Sequence, residues 1–267
     1  MSEDFLFVEK YRPKNIAECI LPQHIKKVYN EYIEKKEIQH LLLSGQQGIG
    51  KMSSARALCN ELETDVLFIN GSEESGIDVL RTTIRDYAST VSLMGNKKVV
   101  IIDEADYLNQ NSTQPALRAF MEEFANPCKF ILTCNYKNRI LPAIHSRCNE
   151  INFNIPTEEV SILKATFLKK IVYILNRENI TFDIKVIARL IEKFFPDFRK
   201  TLNELQKYSL SGYIDSGILT ENGAGNFDEL FTHIKQKRYT EVRKRLNINP
   251  DIDYNNPGLI ESYALTI

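Results

Sequence analysis

Between an apolar run, Leu41-Leu42-Leu43-Ser44, and a helical pattern over 53–62 lies the segment Gly45-Gln46-Gln47-Gly48-Ile49-Gly50-Lys51. Nothing else in the chain narrows the choice of fold as far. Glycines let the backbone wrap inward so that successive N–H groups converge on one point, and the helix that follows adds the partial positive charge of its N-terminus. Strand, glycine turn, lysine and helix in that order make a loop that cradles phosphate, with Lys51 reaching the β- and γ-phosphates. Taken alone, the same glycines also suit plain tight packing of a strand against a helix. A second motif is therefore needed.

The rest of the chain repeats the strand-then-helix alternation. Short β-branched and aromatic runs fall at 40–44, 66–70, 99–103, 130–134 and 150–153, several of them apolar almost throughout, as parallel strands covered on both faces require. Over 113–124, Leu117, Phe120, Met121 and Phe124 form a core-facing helical stripe, with Pro115 near the first turn. The expectation is a three-layer α/β domain with a parallel sheet over residues 1–154. After Ile155-Pro156 the strand signal stops, and 160–176, 184–194 and 196–209 read as three helices of a small domain over 155–220. Glu221–Asn226 is rich in glycine and asparagine and reads as a linker. The remaining residues to 267 offer two helices and a tail, too little for a core of their own.

The second motif is Val99-Val100-Ile101-Ile102-Asp103-Glu104-Ala105-Asp106. Four apolar residues place Asp103 at the C-terminal end of a buried strand, beside the phosphate loop of such a sheet. Asp103 would hold Mg2+, directly or through water, and Glu104 would polarise the attacking water as general base. At about fifty residues from the loop, the pairing of the two motifs indicates a nucleotide triphosphatase rather than a coincidence. Asn135, at the end of the strand over 130–134, is placed either to orient the water or to cap a turn.

One position departs from this pattern. The residue after the lysine is ordinarily Ser or Thr, whose hydroxyl ligates magnesium; here it is Met52, and a thioether is a poor ligand for a hard cation. Ser53 lies about 100° further round the helix and is better placed for an α-phosphate oxygen. Met52 still offers its backbone N–H. ATP binding thus survives the change more easily than hydrolysis does.

Composition sets limits on partners and compartment. With 34 basic and 35 acidic residues the net charge is −1, so any DNA contact must use a local basic face. The five cysteines lack zinc-site spacing, and their odd number argues against a disulfide framework, which suggests buried thiols in a reducing compartment. The acidic N-terminus is unlike a secretory signal, and no apolar run approaches the roughly 18 residues of a membrane span, so a cytoplasmic location is expected.

Several further motifs, taken in order, resemble those of clamp-loader ATPase subunits of the AAA+ family, on the phage and replication-factor-C side. Val8-Glu9-Lys10-Tyr11-Arg12-Pro13 is similar to the box these proteins wrap around adenine, with Ile20 as a further wall. Asp103-Glu104-Ala105-Asp106 matches their Walker B form, Thr133-Cys134-Asn135 their sensor-one strand, and Ser146-Arg147-Cys148 a motif whose arginine acts on ATP held by a neighbouring subunit. Phe195-Pro196-Asp197-Phe198-Arg199-Lys200 is similar to the lid helix, with Arg199 over the γ-phosphate. The resemblance implies a nucleotide-binding core, a helical lid over 155–220, and a helical collar, of which 221–267 is only a part. It assigns Gly45, Gly48, Ile49, Gly50, Lys51, Met52 and Ser53 to the nucleotide, and Arg118 to coupling between nucleotide state and DNA.

The implied partners are a sliding clamp, primer-template DNA and other clamp-loader subunits, including copies of this chain. Arg81 and Arg85, four residues apart on one helix, would then track duplex phosphates without reading sequence. Two rival expectations stand beside this one. Met52 suits a subunit that binds nucleotide without hydrolysing it, and the core motifs alone also suit another AAA+ machine, such as a helicase loader or branch-migration motor.

Overall fold

The structure, a computed structural model, describes residues 6–73, 76–90, 97–209 and 213–214. Contacts group these described residues into one compact unit. The expected linker and collar over 221–267 lie outside the described residues, as does the end of the lid expected at 220.

Five parallel strands form the central sheet: β1 (Leu41–Ser44), β2 (Asp65–Asn70), β3 (Lys98–Asp103), β4 (Cys128–Cys134) and β5 (Asn149–Asn152), in the order β2-β3-β4-β1-β5. All four residues of β1 are buried, as are Val99–Ile102 of β3, as near-continuous apolar runs imply for strands covered on both faces. One side of the sheet carries α2 (Gln23–Lys35) and α3 (Lys51–Glu61), which pack Ile25, Tyr29, Ala55 and Leu58 against Leu41, Leu43 and Ile101. The other carries α4 (Ile77–Ser89) and α5 (Thr113–Glu123), which bring Leu80, Ile84, Leu117 and Phe120 onto Leu42, Val100 and Leu132. Leu80, Ile84 and Ala88 recur every four residues, the stripe a helix presents to a sheet.

After β5 the chain turns to helices. These are α7 (Val160–Arg177), α8 (Ile184–Phe194) and α9 (Phe198–Ser209), with a short pair of parallel strands, β6 (Thr181–Phe182) and β7 (Tyr213–Ile214), beside them. Ile187, Leu190 and Ile191 of α8 are buried, as expected of its stripe. Two shorter helices, α1 (Phe7–Lys10) and α6 (Pro142–His145), complete the elements used below. Among the described residues, no helix is long and apolar enough to cross a membrane.

Several boundaries differ from those expected, each for a local reason. The helix expected from 53 begins at Lys51, because Gly50 in a left-handed conformation turns the loop straight into it. The helix expected from 196 begins at Phe198, because Asp197 takes the cap position and its Oδ1 accepts the Lys200 amide at 2.9 Å. Strand β3 starts at Lys98 rather than Val99. That lysine is 6% exposed, with its ammonium donating to Tyr87 O at 2.6 Å, to Thr90 Oγ1 at 2.7 Å and to Thr90 O, so it fastens the end of α4. Strand β4 starts two residues early, at buried Cys128, and β5 runs one residue earlier than expected.

Candidate nucleotide-binding site

Strand β1 leads directly into the glycine loop and the loop into α3. Gly48 and Gly50 have φ of +72° and +95°, which disfavour any side chain. At Gly48 space is also closed: an added Cβ would lie 1.9 Å from Asp197 Oδ1. The Phe198 amide donates to Gly48 O at 3.1 Å, so the start of α9 rests on the loop.

Lys51 is 8% exposed. Its ammonium donates to Gly45 O at 2.7 Å, to Gln46 O at 2.8 Å and to Asn135 Oδ1 at 2.8 Å. Burial pushes its pKa below the ordinary lysine value, while the Asp103 carboxylate pulls the other way. The loop lysine and the residue that follows β4 are thus joined.

The ends of β3 and β4 are laced together as well. The Thr133 hydroxyl donates to Asp103 Oδ1 and accepts the Glu104 amide at 3.1 Å. Glu104 itself is left-handed, φ 54° and ψ 43°, a conformation uncommon for a non-glycine residue and often associated with a functional position. Asp106 is 5% exposed, and its Oδ2 accepts the amides of Asn135 at 3.2 Å and Tyr136 at 3.1 Å. Those two bonds fix the backbone from which the Asn135 side chain projects.

Lys51 and the ends of β3 and β4 open onto one cavity of about 640 Å³, a volume suited to a nucleotide. Lys51, Met52, Ser53, Asp103, Glu104, Thr133 and Asn135 line it, together with Gly48 and Gly50. Val8, Glu9, Tyr11, Arg12, Pro13 and Ile20 line it as well, as does Arg199 of α9. Three residues expected at the nucleotide do not line it. Gly45 contributes through its carbonyl to Lys51, Ile49 is 5% exposed in the core beneath the loop, and Lys10 pairs with Glu178 at 2.7 Å.

The N-terminal segment is held to the helical part of the chain. The amide of buried Phe7 donates to Gln206 Oε1 on α9 at 2.8 Å, and Tyr11 donates its hydroxyl to Glu178 just after α7. Burial first, and the Glu178 carboxylate second, push the Tyr11 pKa up to about 12. Arg12 Nη2 reaches Glu9 at 2.5 Å, whereas its buried Nε has no hydrogen-bond partner among the described residues. The Met52 side chain is half-buried against the α2–α3 core and lines the cavity, so no hydroxyl stands at that position.

Arg147 does not line this cavity. It follows α6 and donates through Nε to Glu122 Oε1 at 2.9 Å, through Nη2 to the same oxygen, and through Nη1 to Ala143 O at 2.6 Å. The Arg147 hydrogen bond holds the exposed Glu122 carboxyl below its usual pKa. Arg81, Arg85 and Arg118 are also exposed and outside the cavity. Arg85 lies over Phe120 at 6.0 Å and within 3.8 Å of Glu123.

Sequence reasoning passed over the anchoring role of Asp106, the Glu122 partner of Arg147, and Arg56 and Phe68, which also line the cavity. It also gave no role to Gln114, which is fully buried. Gln114 Nε2 donates to Arg139 O at 2.8 Å and to Leu108 O at 3.1 Å, and its Oε1 accepts the Leu141 amide at 2.8 Å. A glutamine one turn from Leu117 and Arg118 was the available signal, and only the fold shows what it joins.

Residues 41–156 match the AAA family, the ATPase family associated with various cellular activities, and residues 158–220 match the AAA+ ATPase lid domain of the sliding-clamp-loader large subunit. The sliding-clamp-loader large subunit of Escherichia phage RB69 is 38% identical over 248 residues, 91% of this chain and 77% of that protein. The replication factor C small subunit of Methanococcus maripaludis is 38% identical over 207 residues, 75% of this chain and 63% of that protein. Among solved structures, the Thermotoga maritima RuvB Holliday junction branch migration motor is similar with a TM-score of 0.60, at 18% identity over 90% of this chain and 87% of that one. At that identity the likeness is one of fold alone.

Proposed function

This chain belongs to the sliding-clamp-loader large-subunit family of AAA+ ATPases, and on that premise we propose that it binds ATP in the cavity and hydrolyses it to open a sliding clamp and load it onto primer-template DNA. The observation that carries this reading is the convergence of Lys51, Asp103, Glu104, Asn135 and Arg199 on one cavity, which residues of the N-terminal box line as well. Residues 1–154 act as the nucleotide-binding core and 155–220 as the lid. The chain works in the cytoplasm within a multi-subunit complex that includes copies of itself.

In this reading the phosphate chain lies along the amides of Gly48 and Gly50 at the start of α3, and the Lys51 ammonium exchanges its loop carbonyls for β- and γ-phosphate oxygens. That exchange frees Asn135 Oδ1 from Lys51, so the side chain can turn to the γ-phosphate or the attacking water. Glu104 takes a proton from that water as its oxygen attacks the γ-phosphorus and the bond to the β-phosphate oxygen breaks. Arg199 places a second cation at the γ-phosphate. Arg147, outside its own chain's cavity, acts on ATP held by the neighbouring subunit. Val8, Tyr11, Arg12 and Ile20 enclose the adenine. Arg81 and Arg85 meet DNA phosphates, and Arg118 couples DNA contact to the nucleotide.

Magnesium fits this donor set in one way. Among the described residues no three acidic, histidine or cysteine side chains cluster as a metal site, and Met52 supplies no oxygen. A magnesium ion commonly rests on one carboxylate, phosphate oxygens and water, and Asp103 supplies that carboxylate. Bound so, the ion would neutralise charge on the phosphates. The rival in which this subunit binds ATP without turnover rests on Met52 alone.

The reading is tested by retention of the assembled complex on immobilised cognate clamp. Retention is expected with ATP, and to be lost without nucleotide or on Lys51→Ala. Retention indifferent to both would overturn it.

A further inference from the structure

Arg56 lies four residues after Met52 and three after Ser53 on α3, so the three side chains share one face of the helix. Long side chains on a helix lean back over the preceding turn, which carries this guanidinium toward the phosphate end of α3. Arg56 lines the same cavity as Lys51 and Asp103. Its guanidinium carbon stands over the Phe68 ring, 4.9 Å from the centroid. Phe68 is on β2, an edge strand, and is 41% exposed, so it contributes a face to the cavity rather than to the core.

Among the described residues Arg56 has no hydrogen-bond acceptor and no carboxylate within ion-pair distance. The charges that act on it are the repulsive Arg12 and the attractive Glu9 and Asp103, all of which line the cavity. Burial, followed by Arg12, lowers its pKa from the ordinary arginine value. A half-buried guanidinium whose N–H donors meet no acceptor among the described residues is free to bind an anion that enters the cavity. Arg12, which pairs with Glu9 through Nη2, also keeps a buried Nε without a partner among the described residues. Two incompletely satisfied guanidinium groups therefore border a cavity already equipped to hold phosphate.

Building on the ATP-binding reading, we propose that Arg56, braced against Phe68, is a nucleotide-contact residue that donates hydrogen bonds to the phosphate chain of ATP. It thereby takes over part of the charge neutralisation that a metal-ligating hydroxyl at position 52 would otherwise support. Two consequences follow. ATP affinity depends only weakly on magnesium, and the contribution of Arg56 is specific to phosphate.

Calorimetric titration of the full chain with ATP and with adenosine, in magnesium and in EDTA, tests both. The wild type is expected to lose less than about fivefold in ATP affinity when magnesium is removed. Arg56→Ala is expected to lose at least about tenfold, or 1.4 kcal/mol, in either condition. Adenosine affinity and the nucleotide-free melting temperature should stay unchanged, with Arg56→Lys intermediate for ATP. ATP affinity of Arg56→Ala within twofold of wild type would overturn the proposal, as would an equal loss for adenosine. Lys51→Ala separates the two levels: if it too binds ATP normally, the ATP-binding reading itself fails. If Lys51→Ala loses ATP and Arg56→Ala does not, only the role of Arg56 fails.

Discussion

Lys51 and Arg147 are both cations expected to touch the γ-phosphate of an ATP, yet the fold treats them in opposite ways. Lys51 is buried, and its three acceptors belong to its own loop and to the adjacent strand end. Around it Thr133 ties Asp103 to Glu104, and Asp106 ties the backbone of Asn135 and Tyr136. Arg147 is partly exposed, and apart from its own short helix its partner is Glu122, an exposed carboxylate. Solvent screens such a pair, so Arg147 changes partner at little cost, whereas Lys51 changes partner only when phosphate replaces every acceptor at once. One cation is fixed inside the chain, and the other is held at its surface by a single carboxylate.

The sharpest way to break that contrast is Arg147→Ala. If the residue serves a neighbour, turnover of the assembled complex falls by about 10³-fold, the usual worth of a donated arginine. ATP affinity of the isolated chain should be unchanged, as titration of the single subunit would show. A matching loss of affinity in the isolated chain would place Arg147 in its own site and erase the distinction.

Lys51→Ala is the complementary change. It should lower ATP affinity of the isolated chain by about 100-fold, some 2.7 kcal/mol, in the same titration. The nucleotide-free melting temperature should move little, because the ammonium leaves only carbonyls and one amide oxygen behind, all near a polar cavity.

Much of the contrast could be read before any coordinates. Gly45–Lys51 and Asp103–Asp106 are contiguous motifs at strand ends, so the alternation of apolar runs and helical stripes is enough to bring them to the C-terminal end of a parallel sheet. Pairings between distant residues were not legible. Nothing in the order of residues says that Asp106 meets the amides after β4, that Glu122 holds Arg147, or that Phe68 underlies Arg56. Lys98 shows the limit most plainly: a lysine at the head of an apolar run reads as a solvated boundary. In the fold it is a buried strand residue whose ammonium closes the end of α4. Short elements such as α1 and α6 carry too few residues for periodicity to register, and their places come from tertiary contacts.

A smaller effect concerns the opposite end of the sheet from the site. His40 accepts the Phe130 amide at 3.1 Å through Nδ1 and packs against its ring, and burial lowers its pKa from 6.5 to about 4. The folded chain therefore favours neutral His40. Its contribution to stability is fully present above pH 6.5 and is lost progressively as pH falls from there toward 4, because the unfolded chain takes up the proton first. Urea melts at pH 7 and pH 5 should show a smaller stability difference for His40→Gln than for the wild type. Nucleotide affinity at either pH should not respond to that substitution, since His40 lies away from the cavity.

The central claim, that this chain is the ATP-hydrolysing subunit of a clamp loader despite Met52, is tested most directly by steady-state turnover of the assembled complex, with and without cognate clamp and primed DNA. Turnover by the wild type should be stimulated by clamp and primer together, and Glu104→Gln should abolish it by about 10²-fold or more while ATP binding persists. Met52→Thr should change the stimulated rate by less than about tenfold. A wild type that binds ATP but turns over only after Met52→Thr, or turnover indifferent to clamp and DNA, would contradict the account.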